Sequence, residues 1–314
     1  MSYFTYQGKE LFYQEAGQGE PCLFLHGNTA SSRMFTFLLP LYTQHFRVIL
    51  LDFLGNGKSQ RVDAFPEELW IDQGRQAAEL CRHLTCGKVN LVGTSGGAYA
   101  AINAALEAPE LFGRVVADSF DGSTLPQGFG DGILRERQAA KGDEQARGFY
   151  EWCQGEDWET VVDLDTQALV NYERKGVRLF HRPIEDIQVP LLITVSRADQ
   201  MLANDMEGEC RRLCGLNTNI RYKLYETGEH PLILSRAEEL DRALGREQGE
   251  TAGTEREDQG GSVYPELTAW SLAEEVKVQN LELGRDKKAD CLSVYGLMEL
   301  ASCRELEQGT YGYR

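Results

Sequence analysis

The sequence has eight cysteines and five histidines, yet no C-x-x-C pair and no His or Cys cluster at metal-ligand spacing. A zinc site is therefore not expected. Scattered, unpaired cysteines fit a reducing, cytoplasmic chain. Cys210 and Cys214 stand one helical turn apart, which suits side-by-side packing better than a bridge. No segment reaches the roughly 18 unbroken apolar residues of a membrane span. The opening stretch MSYFTYQGKELFYQEAG lacks the basic start and long apolar run of a signal peptide. Positive charge is also scarce: 32 Lys and Arg against 49 Asp and Glu leave a net charge of −17. That balance argues against nucleic acid, whose phosphates need Lys and Arg, and against docking on anionic lipid. No internal repeat is visible.

What is present describes a soluble globular chain. Hydrophobic residues make up 42% and charged residues 26% of 314 positions, enough for one large or two modest cores. Strand and helix signals alternate. ELFYQEA alternates like an edge strand. PCLFLHG and RVILLDF are short apolar runs closed by turn residues, as in buried parallel strands. Between them SSRMFTFLLPLY predicts a helix that Pro40 ends or kinks. FPEELWIDQGRQAAELCRHL predicts a second helix, with Pro66 near its start. KVNLVG, GRVVADSF, PLLITVS and IRYKLYE read as further strands, with helices in GGAYAAINAALEA and DMEGECRRLC. The alternation predicts a mostly parallel sheet with helices on both faces. From about 121 to 188 no strand signal appears, and an insertion of that size predicts a helical lid. After about 244 the chain turns polar and Gly-rich. The expected organisation is a main domain over 1–244, a linker over 245–262 and an extension over 263–314 that is either of small α+β type or partly disordered.

The stretch VNLVGTSGGAYAAI concentrates the chemistry. Gly93-Thr94-Ser95-Gly96-Gly97 has the form G-x-S-x-G, with a strand before it and a helix after it. This context makes a nucleophile elbow: glycines let strand and helix approach closely, and the serine hydroxyl is held clear of both. The helix start adds N–H groups and positive potential beside it. The rival reading is a Gly-rich phosphate-binding turn or a plain tight corner. A serine hydroxyl needs a base, and the base needs an orienting acid. His230, just after the last strand, and Asp199, after the preceding one, supply both. Parallel strands end on one edge, where distant residues converge. Asp118, after RVVA, is a rival for the acid. The loop FLHGNTASS offers Asn28, whose backbone N–H is paired with that of Gly96 as the oxyanion hole. His26 in the same loop reads as architectural rather than as a second base. His45, His83 and His181 read as packing or surface residues. The lid aromatics Phe149, Tyr150, Trp152, Trp158 and Tyr172 either line an acyl pocket or simply pack the lid.

On these residues the chain resembles the α/β-hydrolase superfamily over roughly 3–244. LLDFLGNGKS matches its D-x-x-G-x-G-x-S stretch (Asp52, Gly55, Gly57, Ser59), a structural element. The elbow wording is similar to valacyclovir-hydrolase-like small-ester hydrolases. HGN also resembles haloalkane dehalogenases, but those carry an Asp where this chain has Ser95. The resemblance implies the α/β-hydrolase fold and a Ser95–Asp199–His230 triad acting on a small ester or acyl substrate, with no metal or organic cofactor. The alternatives are C–C bond hydrolysis or perhydrolysis by the same triad, or a ligand-binding regulatory protein on this scaffold. The segment NLELGRDKKADCLSVYGLMELAS resembles the second half of an HPr-type phosphocarrier, through Lys287, Lys288, Asp290 and Ser293. That resemblance implies a regulatory phosphorylation site at Ser293 and a link to the sugar phosphotransferase system. Ser293 reads equally well as a helix N-cap. Pro265 falls on that family's proline, but Ser262 stands where its phosphate-accepting histidine belongs, so phosphocarrier chemistry is not expected.

Overall fold

The computed structural model describes residues 2–202 and 205–240. The chain divides into two units, Met1–Arg242 and Ala243–Arg314, and the described residues all belong to the first. The linker at 245–262, the HPr-like extension and Ser293 lie outside the described residues.

Eight strands form one sheet: β1 (Ser2–Tyr6), β2 (Lys9–Ala16), β3 (Glu20–Leu25), β4 (Phe46–Leu51), β5 (Val89–Thr94), β6 (Phe112–Asp118), β7 (Leu191–Ser196) and β8 (Ile220–Tyr225). Their spatial order is β1-β2-β4-β3-β5-β6-β7-β8. The pairs β1–β2 and β2–β4 are antiparallel, and the remaining pairs are parallel. Every residue of β5 is buried, as expected of a central strand covered on both faces. The edge strand β8 is buried only at its two ends and half-exposed or exposed between them.

The helices are α1 (Leu39–Tyr42), α2 (Leu69–Leu84), α3 (Gly96–Glu107), α4 (Phe129–Gly142), α5 (Glu144–Gln154), α6 (Trp158–Lys175), α7 (Met206–Leu216) and α8 (Leu232–Ser235). Helix α3 is nearly all Ala and Gly in its first half and buried at every position but Glu107. Those small side chains let it lie close against α2, where a methyl on Gly74 would stand 2.7 Å from Asn103 Cβ. Helices α4, α5 and α6 fill the interval between β6 and β7, so the predicted insertion over 121–188 is helical. Asp143 caps α5 by accepting from the Ala146 N–H at 2.8 Å. Gly176, with φ +62°, closes α6 in the left-handed conformation. Among the described residues no helix is long and apolar enough to cross a membrane.

Two local expectations are corrected. ELFYQEA is not an edge, because β1 pairs outside it; the three central residues of β2 are all buried rather than alternating. SSRMFTFLLPLY is a 3₁₀ segment (Ser32–Leu38) followed by the single turn α1. Pro40 sits in the first turn of α1, where its missing N–H costs no helical bond, so it opens that turn rather than ending it.

Candidate functional site

Thr94 closes β5 and Gly96 opens α3, leaving one residue to make the corner. That residue, Ser95, has φ +55° and ψ −122°, a backbone conformation that side-chain-bearing residues rarely adopt. Its N–H donates to the Asp118 carbonyl at 2.8 Å. The glycines around it answer to close backbone approach. A methyl on Gly93 would collide with the Gly97 carbonyl oxygen, and one on Gly97 would collide with the Leu25 carbonyl oxygen. The corner therefore packs directly onto the end of β3. The loop after β3 runs beside the serine: a methyl on Gly27 would meet Ser95 Cβ at 3.2 Å and Oγ at 3.7 Å.

His230 Nδ1 lies 2.8 Å from Asp199 Oδ2. The Asp199 side chain is fully buried and the imidazole 14% exposed. A second bond, from the Met201 N–H to Asp199 Oδ1 at 3.0 Å, fixes the carboxylate plane. With Nδ1–H donated to a carboxylate, Nε2 keeps its lone pair, the state a general base needs.

Asp118, the rival acid, has other partners. Oδ2 accepts from Thr94 Oγ1 at 2.6 Å and from the Ile233 N–H at 3.0 Å, and Oδ1 accepts from Thr194 Oγ1 at 2.8 Å. Its neighbour Ser119 accepts from the Leu232 N–H at 2.9 Å. These two residues thus tie the elbow strand β5, strand β7 and the segment just after His230 to the end of β6. Burial pushes the Asp118 carboxyl up to about 6, against the opposing pull of its hydrogen bonds and of His230.

Asn28 meets Gly96 at the start of α3. A methyl on Gly96 would collide with Asn28 Oδ1 and stand 3.1 Å from the Asn28 backbone nitrogen. The carboxamide therefore occupies the volume a side chain at 96 would take. Trp70 Nε1 donates to Asn28 Oδ1 at 3.1 Å, and Asn28 Nδ2 donates to Asp165 Oδ2 at 2.7 Å. His26, just before, is buried. Its Nε2 accepts from the Phe53 N–H at 3.1 Å, so Nδ1 carries the proton and donates to the Gly27 carbonyl at 2.8 Å. Burial holds its pKa below the usual imidazole range. This ring is used on both sides by backbone, in keeping with an architectural role. Asp52 likewise accepts from the Ser32 and Lys58 N–H groups, each at 2.7 Å.

Three contributors have no clear signal in the sequence. Gln154, buried at the end of α5, donates from Nε2 to the Thr29, Ala30 and Asn56 oxygens, and its Oε1 accepts from the Gly57 N–H. Asp165, on α6, and Trp70, on α2, both reach Asn28. A glutamine in a last helical turn or an aspartate in a charged helix reads as surface. Only long-range contacts show otherwise. Of the lid aromatics, Tyr150 and Trp158 stack together over Val162, while Tyr172 stacks on Trp70, which stacks on Tyr99. A cavity of about 300 Å³ bounded by Ser123, Phe180, Ile184, Glu209 and Arg212, among others, includes none of Asn28, Ser95 or His230 in its wall. Among the described residues no group of three or more His, Cys, Asp or Glu side chains could hold a metal ion.

The alpha/beta hydrolase family model matches residues 22–243. Curated relatives include the 2-hydroxy-6-oxo-6-(2'-aminophenyl)hexa-2,4-dienoic acid hydrolase of Metapseudomonas resinovorans, 30% identical over 116 residues, covering 35% of this chain and 38% of that protein. Another is the 2-(acetamidomethylene)succinate hydrolase of Mesorhizobium japonicum, 36% identical over 110 residues, covering 35% of this chain and 39% of that protein. The chain thus spans well under half the length of the curated relatives it matches. Among solved structures, a hydrolase from Pseudomonas aeruginosa has a TM-score of 0.63 at 18% identity, over 79% of this chain and 98% of that one. At that identity the likeness is one of fold.

Proposed function

The chain belongs to the alpha/beta hydrolase family, and from that premise we propose a specific chemistry for it. Ser95 Oγ attacks a substrate carbonyl, and His230 Nε2 takes the hydroxyl proton. Asp199 orients the ring and stabilises its charged form. The backbone N–H groups of Asn28 and Gly96 receive the oxyanion, an interaction commonly worth about 3 kcal/mol per donor in the transition state. His230 returns its proton to the leaving atom. A water activated by the same ring then splits the acyl-enzyme. The observation that carries this reading is the 2.8 Å bond from His230 to the buried Asp199, on the same strand edge as a serine at a strained corner.

For the substrate, we propose an acyl group whose leaving atom is conjugated to an unsaturated carboxylic acid. The two relatives' names share this feature. In the hexadienoic acid the ketone is attached to a conjugated dienoic acid. In (acetamidomethylene)succinate the acetyl nitrogen is attached to a carboxylated alkene. Conjugation delocalises the departing nitrogen's pair directly, and the departing carbon's pair once the 2-hydroxydiene has ketonised by moving a proton from its hydroxyl to that carbon, so that cleavage leaves a dienolate; an isolated carbon–carbon bond offers neither. C–C bond hydrolysis therefore moves ahead of the plain ester reading. The ester reading rests on the triad, and the triad serves both.

A fluorophosphonate probe is expected to label Ser95, with no label in Ser95→Ala. A folded wild-type protein that stays unlabelled would sink the hydrolase chemistry in favour of a binding protein. With 2-hydroxy-6-oxo-6-phenylhexa-2,4-dienoate and p-nitrophenyl acetate compared, kcat/KM is expected to be at least about tenfold higher for the dienoate, a margin of roughly 1.4 kcal/mol in transition-state binding. The reverse ranking restores the ester.

A further inference from the structure

The loop around Asn28 is held by bonds of its own, from the Ala30 N–H to the Gly27 carbonyl at 3.3 Å and from Thr29 Oγ1 to the Asn28 carbonyl at 2.6 Å, and by bonds from the lid. The next residue, Thr29, has φ +59°, a left-handed conformation that strains a branched residue. The lid adds restraint from outside the loop. Gln154 of α5 donates to the Thr29 and Ala30 carbonyls at 3.0 and 2.8 Å. Asp165 of α6 accepts from the Asn28 carboxamide at 2.7 Å. Asp165 is 2% exposed. Burial raises its pKa, while the nearby Arg137 guanidinium, the Asn28 carboxamide and the Thr29 N–H favour its charged form. Burying such a carboxylate adds little stability of its own.

We propose that Asp165 is a positioning residue: through the Asn28 carboxamide it sets the direction of the Asn28 backbone N–H, so the oxyanion hole is complete only while lid helix α6 is seated. The carboxamide lies pressed between Gly96, Trp70 and Asp165. Removing the Asp165 contact leaves the carboxamide bonded to Trp70 alone and takes one of the lid's restraints off the strained Thr29 peptide. The donor then turns away from the oxyanion, and transition-state stabilisation falls while ground-state binding is largely kept. This inference rests on the proposed triad, and its test keeps the two separate.

The test measures inactivation by a fluorophosphonate, whose phosphoryl oxygen enters the same hole, and so needs no knowledge of the natural substrate. Labelling of Ser95 in the wild type upholds the triad whatever the variants do. Asp165→Ala is expected to lower the limiting inactivation rate about 10- to 100-fold, the scale of a misaligned reacting group, with half-saturation within about twofold. Asp165→Asn keeps an acceptor for the Asn28 amide and is expected to recover most of the rate. Asn28→Ala is expected to be as slow as Asp165→Ala, and the double variant no slower than Asn28→Ala alone, because the two act as one unit. A wild-type rate in folded Asp165→Ala, or losses that multiply in the double variant, overturns the proposal. If Asp165→Ala does not fold, Asn28→Ala decides it: an unchanged limiting rate there overturns the coupling.

Discussion

The strand edge and the lid both reach the candidate site, but they are held by different forces. At the edge, position follows from backbone sterics. Gly93 and Gly97 admit no side chain, so the corner at Ser95 has one way to form. In the lid, position follows from buried polar side chains. Gln154 and Asp165 reach residues 97 to 137 positions away. Steric constraints of the first kind cannot relax without moving the backbone. Polar contacts of the second kind can be removed one side chain at a time. The difference teaches that the corner at Ser95 is built by backbone sterics, whereas the loop at Asn28 is held in part through side chains of α5 and α6.

The largest expected effect separates two carboxylates on that edge. Asp199→Asn is expected to lower kcat on the order of 10⁴-fold by disturbing the His230 tautomer. Asp118→Asn is expected to cost about tenfold or less, because its carboxylate serves Thr94, Thr194 and Ile233. Steady-state kinetics on purified variants checks this, and a reversed order would make Asp118 the working acid. Next, Gln154→Ala is expected to lower unfolding free energy by about 3 kcal/mol, at roughly 1 kcal/mol for each of the three bonds that its two amide hydrogens and one carbonyl oxygen can make at once. Gln167→Ala, on an exposed lid face, should stay within about 0.5 kcal/mol. Urea unfolding measures both. Similar values for the two would erase the distinction between buried lid contacts and ordinary surface.

The smallest effect is one of pH. The Asp118 carboxyl titrates near 6 in the folded chain, against about 3.9 when unfolded. Between those values the folded state holds a proton that the unfolded state has lost. Stability therefore falls as pH rises from about 4 to about 7, by at most about 3 kcal/mol. Asp118→Asn lacks this term, so the wild type's advantage over the variant should shrink across that window. Unfolding curves at the two ends test it, and a gap that widens with pH contradicts the burial argument.

The same contrast separates what is legible in the sequence from what is not. The alternation of β3 to β8 with helices is legible because strand and helix periods are local signals. The corner at Ser95 is legible because five adjacent residues encode it. His230 and Asp199 can be nominated because parallel strands deliver their ends to one edge. The outer strand β1 escapes notice because its five residues are mostly exposed, so ELFYQEA passes for the edge. Pro40 misleads because a proline stops a long helix but starts a short one. Asp165, Gln154 and Trp70 are invisible as site components, since their importance lies in tertiary neighbours alone. The elbow motif favours esters over C–C bonds for no physical reason, since one triad performs several reactions. Only resemblance to particular relatives discriminates among them.

The carboxamide of Asn28 and any side chain at position 96 compete for one volume. Evolution can therefore enlarge residue 96 only by shortening residue 28, or by swinging the β3 loop outward and loosening its grip on α6. Kindred chains should accordingly change these two positions as a pair, with position 165 free to drift wherever the asparagine has gone.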